Sequence, residues 1–296
     1  MRKIFSLLLL LTLCCTALFA AEKQDEVRVR NAAELIHALK SNRVIIVDMD
    51  IDFGDQLAQF HSFNPQRLPE LSSSEVMEKH DQYTDKIFVA DNYDGYGLFL
   101  TGFKNLTIKS DNPTGMRMLM RVRPRYAYVL SFIGCSDITI DGLVMGHTDE
   151  GYCEGGVLEF YDCKNVNVSN CDLYGCGIEG ICFRKSHDLV MTNSIIRDCS
   201  YQIMTIRESY NCLFDRCSFF RNRQFSLLDL IDVKDLTFRG CLITHNEGTL
   251  FNIQDGSGIL FEDCNMMHPM DQVGDPGTTK FKNCHWSSEY GVKRND

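Results

Sequence analysis

Short segments in which apolar positions alternate with freely varying ones recur along most of the chain. The recurring apolar pairs are Leu106/Ile108, Ile138/Ile140, Val166/Val168, Leu189/Met191, Cys212/Phe214, Leu236/Phe238 and Ile259/Phe261, and Phe281 ends an eighth copy. A period of two residues is typical of β-strands with one buried face. The middle pairs lie 23 residues apart, as from Val168 to Met191 and from Met191 to Phe214. This spacing fits one turn of a solenoid.

Each repeat contains two further strand-like segments. An upstream pair of the same type occurs at Leu98/Leu100, Leu130/Phe132, Leu158/Phe160, Ile181/Phe183, Met204/Ile206, Leu228/Leu230 and Phe251/Ile253. A third segment follows and carries Leu143, Leu173, Ile196, Phe219, Ile243 and Met266. The 3.6-residue period of helices is absent from these repeats. The chain is therefore predicted to be an all-β protein, a right-handed parallel β-helix with three strands per coil and about 23 residues per coil.

A short helix is predicted before the first coil. Asn31 is a good N-cap residue, and Leu35, Ile36 and Leu39 fall on one face of a helix over 31–39. The end coil of a solenoid exposes its core and its strand edges unless something covers them. We expect this helix to cap the first coil, which begins near Val44.

The order of these features resembles a known superfamily. A helical cap is followed by Gly-x-x-Leu-x-Gly-Phe-Lys-Asn-Leu-Thr-Ile, which ends at Ile108, and then by coils punctuated with Asn and Cys. This order is similar to the pectin-lyase-like β-helix superfamily over about residues 31–285. The resemblance implies the fold, but the superfamily includes lyases, hydrolases, epimerases and adhesins, so it does not choose a function.

The N-terminus has the pattern of a secretory signal peptide. Arg2 and Lys3 precede an apolar run that is followed by small residues up to Ala20 and Ala21. We therefore predict a signal peptide over residues 1–20 and one β-helix domain over 21–296. The expected location is secreted, periplasmic or at the cell surface, and the apolar run is too short for a transmembrane helix. Cys14 or Cys15 offers a weaker alternative, a lipidation site.

Composition limits the classes of molecule that the chain is expected to bind. Of 296 residues, 40 are acidic and 30 are basic, for a net charge of −10. A protein that binds nucleic acid would instead show a basic stripe, so nucleic acid is excluded as a partner.

The many cysteines align in columns when the coils are superimposed. One column holds Cys171, Ser194, Cys217, Cys241, Cys264 and Cys284, a second holds Cys135, Cys163, Ser186 and Ser209, and a third holds Cys176, Cys199, Asn222 and Asn246. Alternation with Ser and Asn indicates a ladder of small, interior thiols at turns. Disulfides between neighbouring coils, Cys135–Cys163 or Cys176–Cys199, are the alternative. No Cys-x-x-Cys pair supports a metal site.

The upstream strands also align their outward positions. One column reads Phe99, Ser131, Glu159, Cys182, Thr205, Asp229, Asn252, the next reads Thr101, Ile133, Tyr161, Arg184, Arg207, Ile231, Gln254, and the third holds Asp162, Lys185, Glu208, Asp232, Asp255. Arg184 and Arg207 stack one coil apart, an arrangement that needs carboxylates or an anionic ligand. Either Glu159, Glu208 and Asp229 neutralise the arginines, or the arginines bind the carboxylates of an acidic polysaccharide. Cys182 points outward and is the one cysteine considered as a nucleophile.

Some coils are longer than the others, and their extra residues lie in the turn that precedes the upstream strand. The longer coils place them at 110–128 and 146–156, and the stretch 54–97 is expected on the same side, so a cleft would be walled toward the N-terminal half. His147 with Asp149 or Glu150 could transfer a proton, bind a metal or simply pack a turn. The string from Gly146 to Glu150, followed by Cys-x-Gly-Gly-Val-Leu, resembles secreted bacterial β-helix repeat proteins. No cofactor is indicated, and no motif supports calcium.

Two functions remain open. In the first, the protein acts on an acidic polysaccharide by β-elimination, with Lys185 as base, Tyr161 as acid and Arg207 as the cation that neutralises the uronate. Arg184, Glu159, Glu208, Asp229, His147 and Glu150 would then bind substrate. Lys185 is a base only if its cationic neighbours lower its pKa. A hydrolase would use Glu208, Asp229 or Asp232 instead, but the strings Asn-Thr-Asp, Gly-His-Gly and Arg-Ile-Lys typical of polygalacturonases are absent.

The second function is a non-catalytic module that binds glycan or protein. The missing motifs and the regular, short-turned C-terminal coils favour it.

Overall fold

The computed structural model describes residues 24–53, 57, 73–92, 95–111, 118–122, 126–147, 155–175 and 177–287. The predicted signal peptide, Glu150 and Cys176 lie outside these residues. The described chain is a right-handed parallel β-helix, as predicted, and its successive coils pair through parallel strands. Within the described ranges, no helix has the length and apolar character that a membrane span requires.

Each coil contributes strands to three sheets, which we call A, B and C. Sheet A contains β5 (Gly95–Thr101), β8 (Leu130–Ile133), β11 (Leu158–Tyr161), β14 (Ile181–Arg184), the first halves of β17 (Met204–Asp215) and β19 (Ser226–Arg239), β21 (Thr249–Gln254) and β24 (Gly274–Asp275). Strand β4 (Lys86–Asn92) pairs antiparallel with β5. These strands correspond to the upstream segments of the sequence repeat.

Sheet B contains the pairs first seen in the sequence. Its strands are β1 (Asp25–Val29), β2 (Arg43–Val47), β6 (Lys104–Lys109), β9 (Ser136–Asp141), β12 (Lys164–Ser169), β15 (His187–Thr192), the second halves of β17 and β19, β22 (Ser257–Glu262) and β25 (Lys280–Lys282). Sheets A and B join because β17 and β19 run through both. Strand β1 was not predicted; it pairs in parallel with β2 and extends sheet B beyond the first coil.

Sheet C is the third face of the solenoid. Its strands are β3 (Ile51–Asp52), β7 (Met118–Val122), β10 (Leu143–His147), β13 (Asp172–Tyr174), β16 (Ile195–Arg197), β18 (Ser218–Phe220), β20 (Leu242–Thr244), β23 (Asn265–Met267) and β26 (His285–Ser287).

Single left-handed residues form the corners between sheets. The corner from A to B is made by Gly102, Gly134, Asp162, Lys185, Glu208, Asp232 and Asp255, all with positive φ. One residue in this conformation reverses the alternation of side chains and turns the strand sharply. The third column of the sequence therefore lies at a corner of the solenoid.

Helix α1 (Ala32–Ala38) caps the first coil as predicted. The side chain of Asn31 accepts a hydrogen bond from the backbone N–H of Glu34 at 2.9 Å, and Glu34 in turn accepts one from the N–H of Arg30 at 2.8 Å. The first bond satisfies an N–H group that the helix start leaves open, and the second satisfies the N–H group just before the N-cap. Leu35 and Ile36 are buried against the core.

Stacked aromatic rings fill much of the C-terminal core. Phe238 lies parallel to Phe214, with ring centroids 4.9 Å apart, and parallel to Phe261 at 4.4 Å. In-register stacking repeats the same side chain at each level, which gives the ladder its regular spacing.

The cysteine columns are interior ladders of free thiols in the described residues. The side chain in one coil accepts a hydrogen bond from the backbone N–H of the preceding coil: Cys163 Sγ from Cys135 at 3.4 Å, and Ser186 Oγ from Cys163 at 2.8 Å. Cys and Ser exchange at these positions because each supplies both an acceptor and a donor. The ladder interpretation is thus confirmed, and Cys135 and Cys163 are not joined by a disulfide.

Candidate functional site

The outward columns of sheet A stack as the sequence predicted. Glu159 is paired with Ser131 and with Cys182 in the neighbouring coils, and Arg184 is paired with Tyr161 and with Arg207. However, Glu159 is only 2% exposed and Asp229 only 5%, so the expected surface column is a buried floor. Arg184 contacts Glu159, Arg207 contacts Asp229, and Gln202 from the turn before β17 contacts Thr205.

Each arginine is held by a carboxylate of this floor. Nη2 of Arg184 lies 2.5 Å from Oε1 of Glu159, and Nη2 of Arg207 lies 2.5 Å from Oδ2 of Asp229. The arginine side chains remain 36% and 46% exposed. Of the three acids that the sequence offered as partners of the arginines, Glu159 and Asp229 contact them. Glu208 lies at the corner instead, beside Lys185.

Burial and charge act in opposite directions at the inner pair. Burial raises the pKa of Glu159 more than the positive charge of Arg184 and the hydrogen bond from Ser131 lower it. For Arg184, burial acts to lower the pKa, but neighbouring acidic groups, Glu159 among them, raise it overall. Arg184 therefore keeps its charge, while Glu159 holds a proton more tightly than an exposed carboxyl does.

A further buried acid, which the sequence pattern does not reveal, lies next to this floor. Glu179 is 3% exposed; its Oε1 accepts a hydrogen bond from the Tyr128 hydroxyl at 2.7 Å and its Oε2 accepts one from Gln202 Nε2 at 3.0 Å. Gln202 also reaches the hydroxyl of Thr205 on the floor. The one indication of this turn in the sequence is its glycines. A Cβ on Gly156 would lie 2.9 Å from the carbonyl oxygen of Glu179, so the backbone packs closely at this turn.

Cys182 is not an activated nucleophile. It is 3% exposed, and burial, together with the negative charges of Glu179 and Glu159, raises the pKa of its thiol well above the usual range. A reactive cysteine needs the opposite environment.

Lys185, Tyr161 and the two arginines form an exposed group at the end of sheet A, which we call the cationic strip. Lys185 Nζ donates a hydrogen bond to the Tyr161 hydroxyl at 3.1 Å and lies 5.3 Å from the ring centroid. Cζ of Arg184 lies 5.8 Å from the same centroid, so both cations interact with the ring.

The condition for Lys185 to serve as a base is not met. The hydrogen bond with Tyr161 and the negative charge of Glu208 raise the pKa of Lys185 instead of lowering it. The expectation that its cationic neighbours would lower the pKa is wrong, because nearby acceptors and acids outweigh them.

A segment before β4 borders the strip on the N-terminal side. It consists of α2 (Ser73–Lys79) and the 3₁₀ turn His80–Gln82. Nε2 of His80 lies 2.7 Å from Oδ2 of Asp162, and its ring meets Tyr161 edge-on with centroids 5.7 Å apart. Val76 packs on Phe99 and Ile133 of sheet A. The predicted N-terminal wall is therefore present over the described part of 54–97.

His147 does not join the strip. It is 4% exposed, and its Nε2 lies 2.9 Å from the carbonyl oxygen of Ala127. This contact supports the interpretation that His147 packs a turn. In the described residues, no group of three or more His, Cys, Asp or Glu side chains could hold a metal ion.

Comparison with models of protein families agrees with the fold. A family model described as the right-handed beta helix region matches residues 151–285, the coils that carry the cationic strip. Among solved structures, the pectate lyase Pel9A is similar, with 9% sequence identity, a TM-score of 0.44, and coverage of 91% of this chain and 79% of that chain. The comparison with curated proteins found no match. The protein is a right-handed parallel β-helix protein.

Proposed function

We propose that the protein binds an acidic polysaccharide along the cationic strip. The observation that carries this proposal is that Arg184 and Arg207 stand one coil apart, each held from beneath by a buried carboxylate. Neighbouring coils are about 4.8 Å apart. Two guanidinium groups at this spacing suit a chain molecule that carries a carboxylate on successive sugars.

The arginines keep donors free for a ligand. Arg184 uses Nη2 for Glu159, and Arg207 uses Nε and Nη2 for Asp229. The planar guanidinium presents several N–H groups, so one edge can hold a buried acid while another meets a carboxylate in solution. The buried acids fix the side chains beforehand, which reduces the entropy lost on binding.

Binding is supported better than elimination. Abstraction of a proton needs a group that is neutral near the working pH, whereas the raised pKa of Lys185 keeps it charged. Its charge then adds to the attraction for an anionic ligand. The predicted signal peptide fits this function, since it would export the protein to where such polysaccharides occur.

The test is binding to polygalacturonate, alginate and hyaluronan by the wild type and by Arg207→Gln. Arg239→Gln is a matched control, because Arg239 is 49% exposed and pairs with Asp215, which is 5% exposed, on a different sheet. We expect Arg207→Gln to weaken binding about tenfold or more, the loss of one charge-assisted contact, and Arg239→Gln to change it less than twofold. Absence of binding to all three, or equal losses in both variants, would overturn the proposal.

Mass analysis of the same mixtures separates binding from catalysis. Intact polysaccharide supports a binding protein. Fragments with an unsaturated uronyl end would establish a lyase and contradict the assignment of Lys185 as a permanent cation.

A further inference from the structure

One turn between sheets C and A is longer than its neighbours. The stretch 222–228 has seven residues, whereas the equivalent stretches 199–204 and 246–251 have six. Their ends are in register, because the side chains of Asn222 and Asn246 accept hydrogen bonds from the preceding coils and Leu228 pairs with its counterparts in both neighbours. The extra residue is therefore accommodated inside this turn.

The turn accommodates it with two consecutive left-handed residues. Gln224 has φ 58° and Phe225 has φ 53°. Glycine or asparagine normally occupies such positions, and a bulky aromatic residue there is strained. Asn occupies seven of the other left-handed positions in the described chain: Asn42, Asn105, Asn165, Asn170, Asn193, Asn211 and Asn283. The sequence thus holds a strained Phe where a relaxed residue would serve the turn.

The next coil is adapted to this bulge. The backbone N–H of Thr249 donates to the carbonyl oxygen of Phe225 at 3.0 Å. Gly248, with φ 120°, lies so close that a Cβ would stand 2.6 Å from the same oxygen. The bulge is therefore a fixed part of the solenoid.

The strained turn exposes an aromatic ring, that of Phe225, and a cation, Arg223, to solvent. Phe225 is 67% exposed, and its ring lies 5.1 Å from that of Tyr201. Arg223 is also exposed and, in the part of the chain that the structure describes, forms no ion pair. Its neighbour Arg221, by contrast, pairs with Asp198 at 2.6 Å. An exposed ring and an exposed guanidinium two residues apart in one turn suit a sugar that carries a carboxylate.

This turn borders the polar floor of sheet A. Tyr201 precedes Gln202, whose amide contacts Thr205 on the floor. The turn stands where the strands of sheet A begin, and the cationic strip stands where they end. About six residues of extended chain, roughly 20 Å, separate the two, a span that an oligosaccharide can bridge but one sugar cannot.

We propose that Arg223 and Phe225 form a second contact site for the acidic polysaccharide, across sheet A from the cationic strip. The apolar face of a sugar ring stacks on Phe225, and its carboxylate binds Arg223. This inference rests on the proposed function and extends the binding surface from one edge of sheet A to both.

The test compares Phe225→Asn, Arg223→Gln and Gln224→Asn in binding to polygalacturonate. Asn tolerates the left-handed conformation, so Phe225→Asn should unfold at the same temperature as the wild type or higher. We expect it to weaken binding at least fivefold, and Arg223→Gln to do the same. Gln224→Asn relaxes the same turn while keeping the aromatic ring, and should leave affinity unchanged.

The outcomes separate the two proposals. If Arg207→Gln weakens binding and both Phe225→Asn and Arg223→Gln bind like the wild type, the second site is wrong and the cationic strip stands. If the two turn variants weaken binding and Arg207→Gln does not, the second site stands without the strip. If the wild type does not bind polygalacturonate, alginate or hyaluronan, both proposals fail.

Discussion

The carboxylate of Glu159 lies 2.5 Å from the guanidinium of Arg184 on the next coil, and only 2% of Glu159 is exposed. A surface arginine is thus anchored by an acid that belongs to the interior. Asp229 holds Arg207 from the opposite direction: this acid lies on the coil after its arginine, whereas Glu159 lies on the coil before Arg184. The two arginines therefore lie on adjacent coils, and each is paired with an acid on the coil beyond it.

Glu159 makes the free energy of unfolding depend on pH in a defined direction. Burial raises the pKa of Glu159 above its ordinary 4.5, so folding favours the protonated form. Its contribution to stability is therefore lost as the pH rises from about 4.5 through the raised value in the folded protein. Glu159→Gln cannot ionise and should remove this part of the pH dependence. Denaturant unfolding from pH 4 to about pH 8 measures it.

Glu159→Gln also tests whether the Glu159 carboxylate holds Arg184 in place. We expect its free energy of unfolding at pH 7 to equal or exceed that of the wild type, and its affinity for polygalacturonate to fall about threefold, because Arg184 loses its anchor. Parallel pH profiles for the two proteins would contradict the role assigned to burial.

A second carboxyl group should behave in the opposite way. The hydrogen bonds from Arg221 and Arg197 lower the pKa of Asp198 below its ordinary 3.8. Its stabilising contribution is present at neutral pH and is lost as the pH falls below about 3.8. Because Asp198 is 32% exposed, Asp198→Asn should cost about 1 kcal/mol at pH 7. Unfolding titrations should show the two proteins converging near pH 2, and a constant difference at every pH would count against this assignment.

The aromatic ladder should carry a large share of the stability. Phe238 is fully buried between Phe214 and Phe261, so Phe238→Ala should lower the free energy of unfolding by about 3–5 kcal/mol. Phe281 ends the ladder and is 37% exposed. Phe281→Ala should cost roughly half as much or less. Equal losses, measured by guanidinium unfolding, would show that the ladder does not stabilise through burial.

Two buried thiols should be chemically inert in the folded protein, Cys212 on a strand of sheet B and Cys241 in the thiol ladder. Burial raises the pKa of Cys212 to about 12, and the neighbouring thiol of Cys217 together with burial raises that of Cys241 to about 12. Neither thiol forms the reactive thiolate at pH 8. Iodoacetamide followed by mass analysis should leave both unmodified until denaturant is added. Rapid labelling of either cysteine in the native protein would contradict the burial described here.

The sequence predicts the coils because their side chains repeat in register. Alternation marks the strands, and the constant spacing sets which residues stack, so the column of Tyr161, Arg184 and Arg207 could be read before any coordinates. The pairing of Glu159 with Arg184 also follows, since the two positions lie on neighbouring strands.

What the sequence does not reveal depends on turns that break the repeat. Glu179 and Gln202 come from corners whose path is set by packing, so no periodicity points to their contact. The burial of Glu159 depends on those same turns, and an outward position on a strand was therefore wrongly expected to be exposed. The bulge at Phe225 leaves a one-residue change in spacing, which shows where it lies but not the left-handed backbone that forms it.

We propose that charge on the ligand drives binding to the cationic strip. Calorimetric titration of the wild type with polygalacturonate, and with the same polymer after its carboxyl groups are reduced to alcohols, tests this directly. We expect binding to the acidic polymer and affinity at least tenfold weaker for the neutral one. Equal affinity for both polymers would contradict it, because Arg184 and Arg207 would then contribute nothing that depends on a carboxylate.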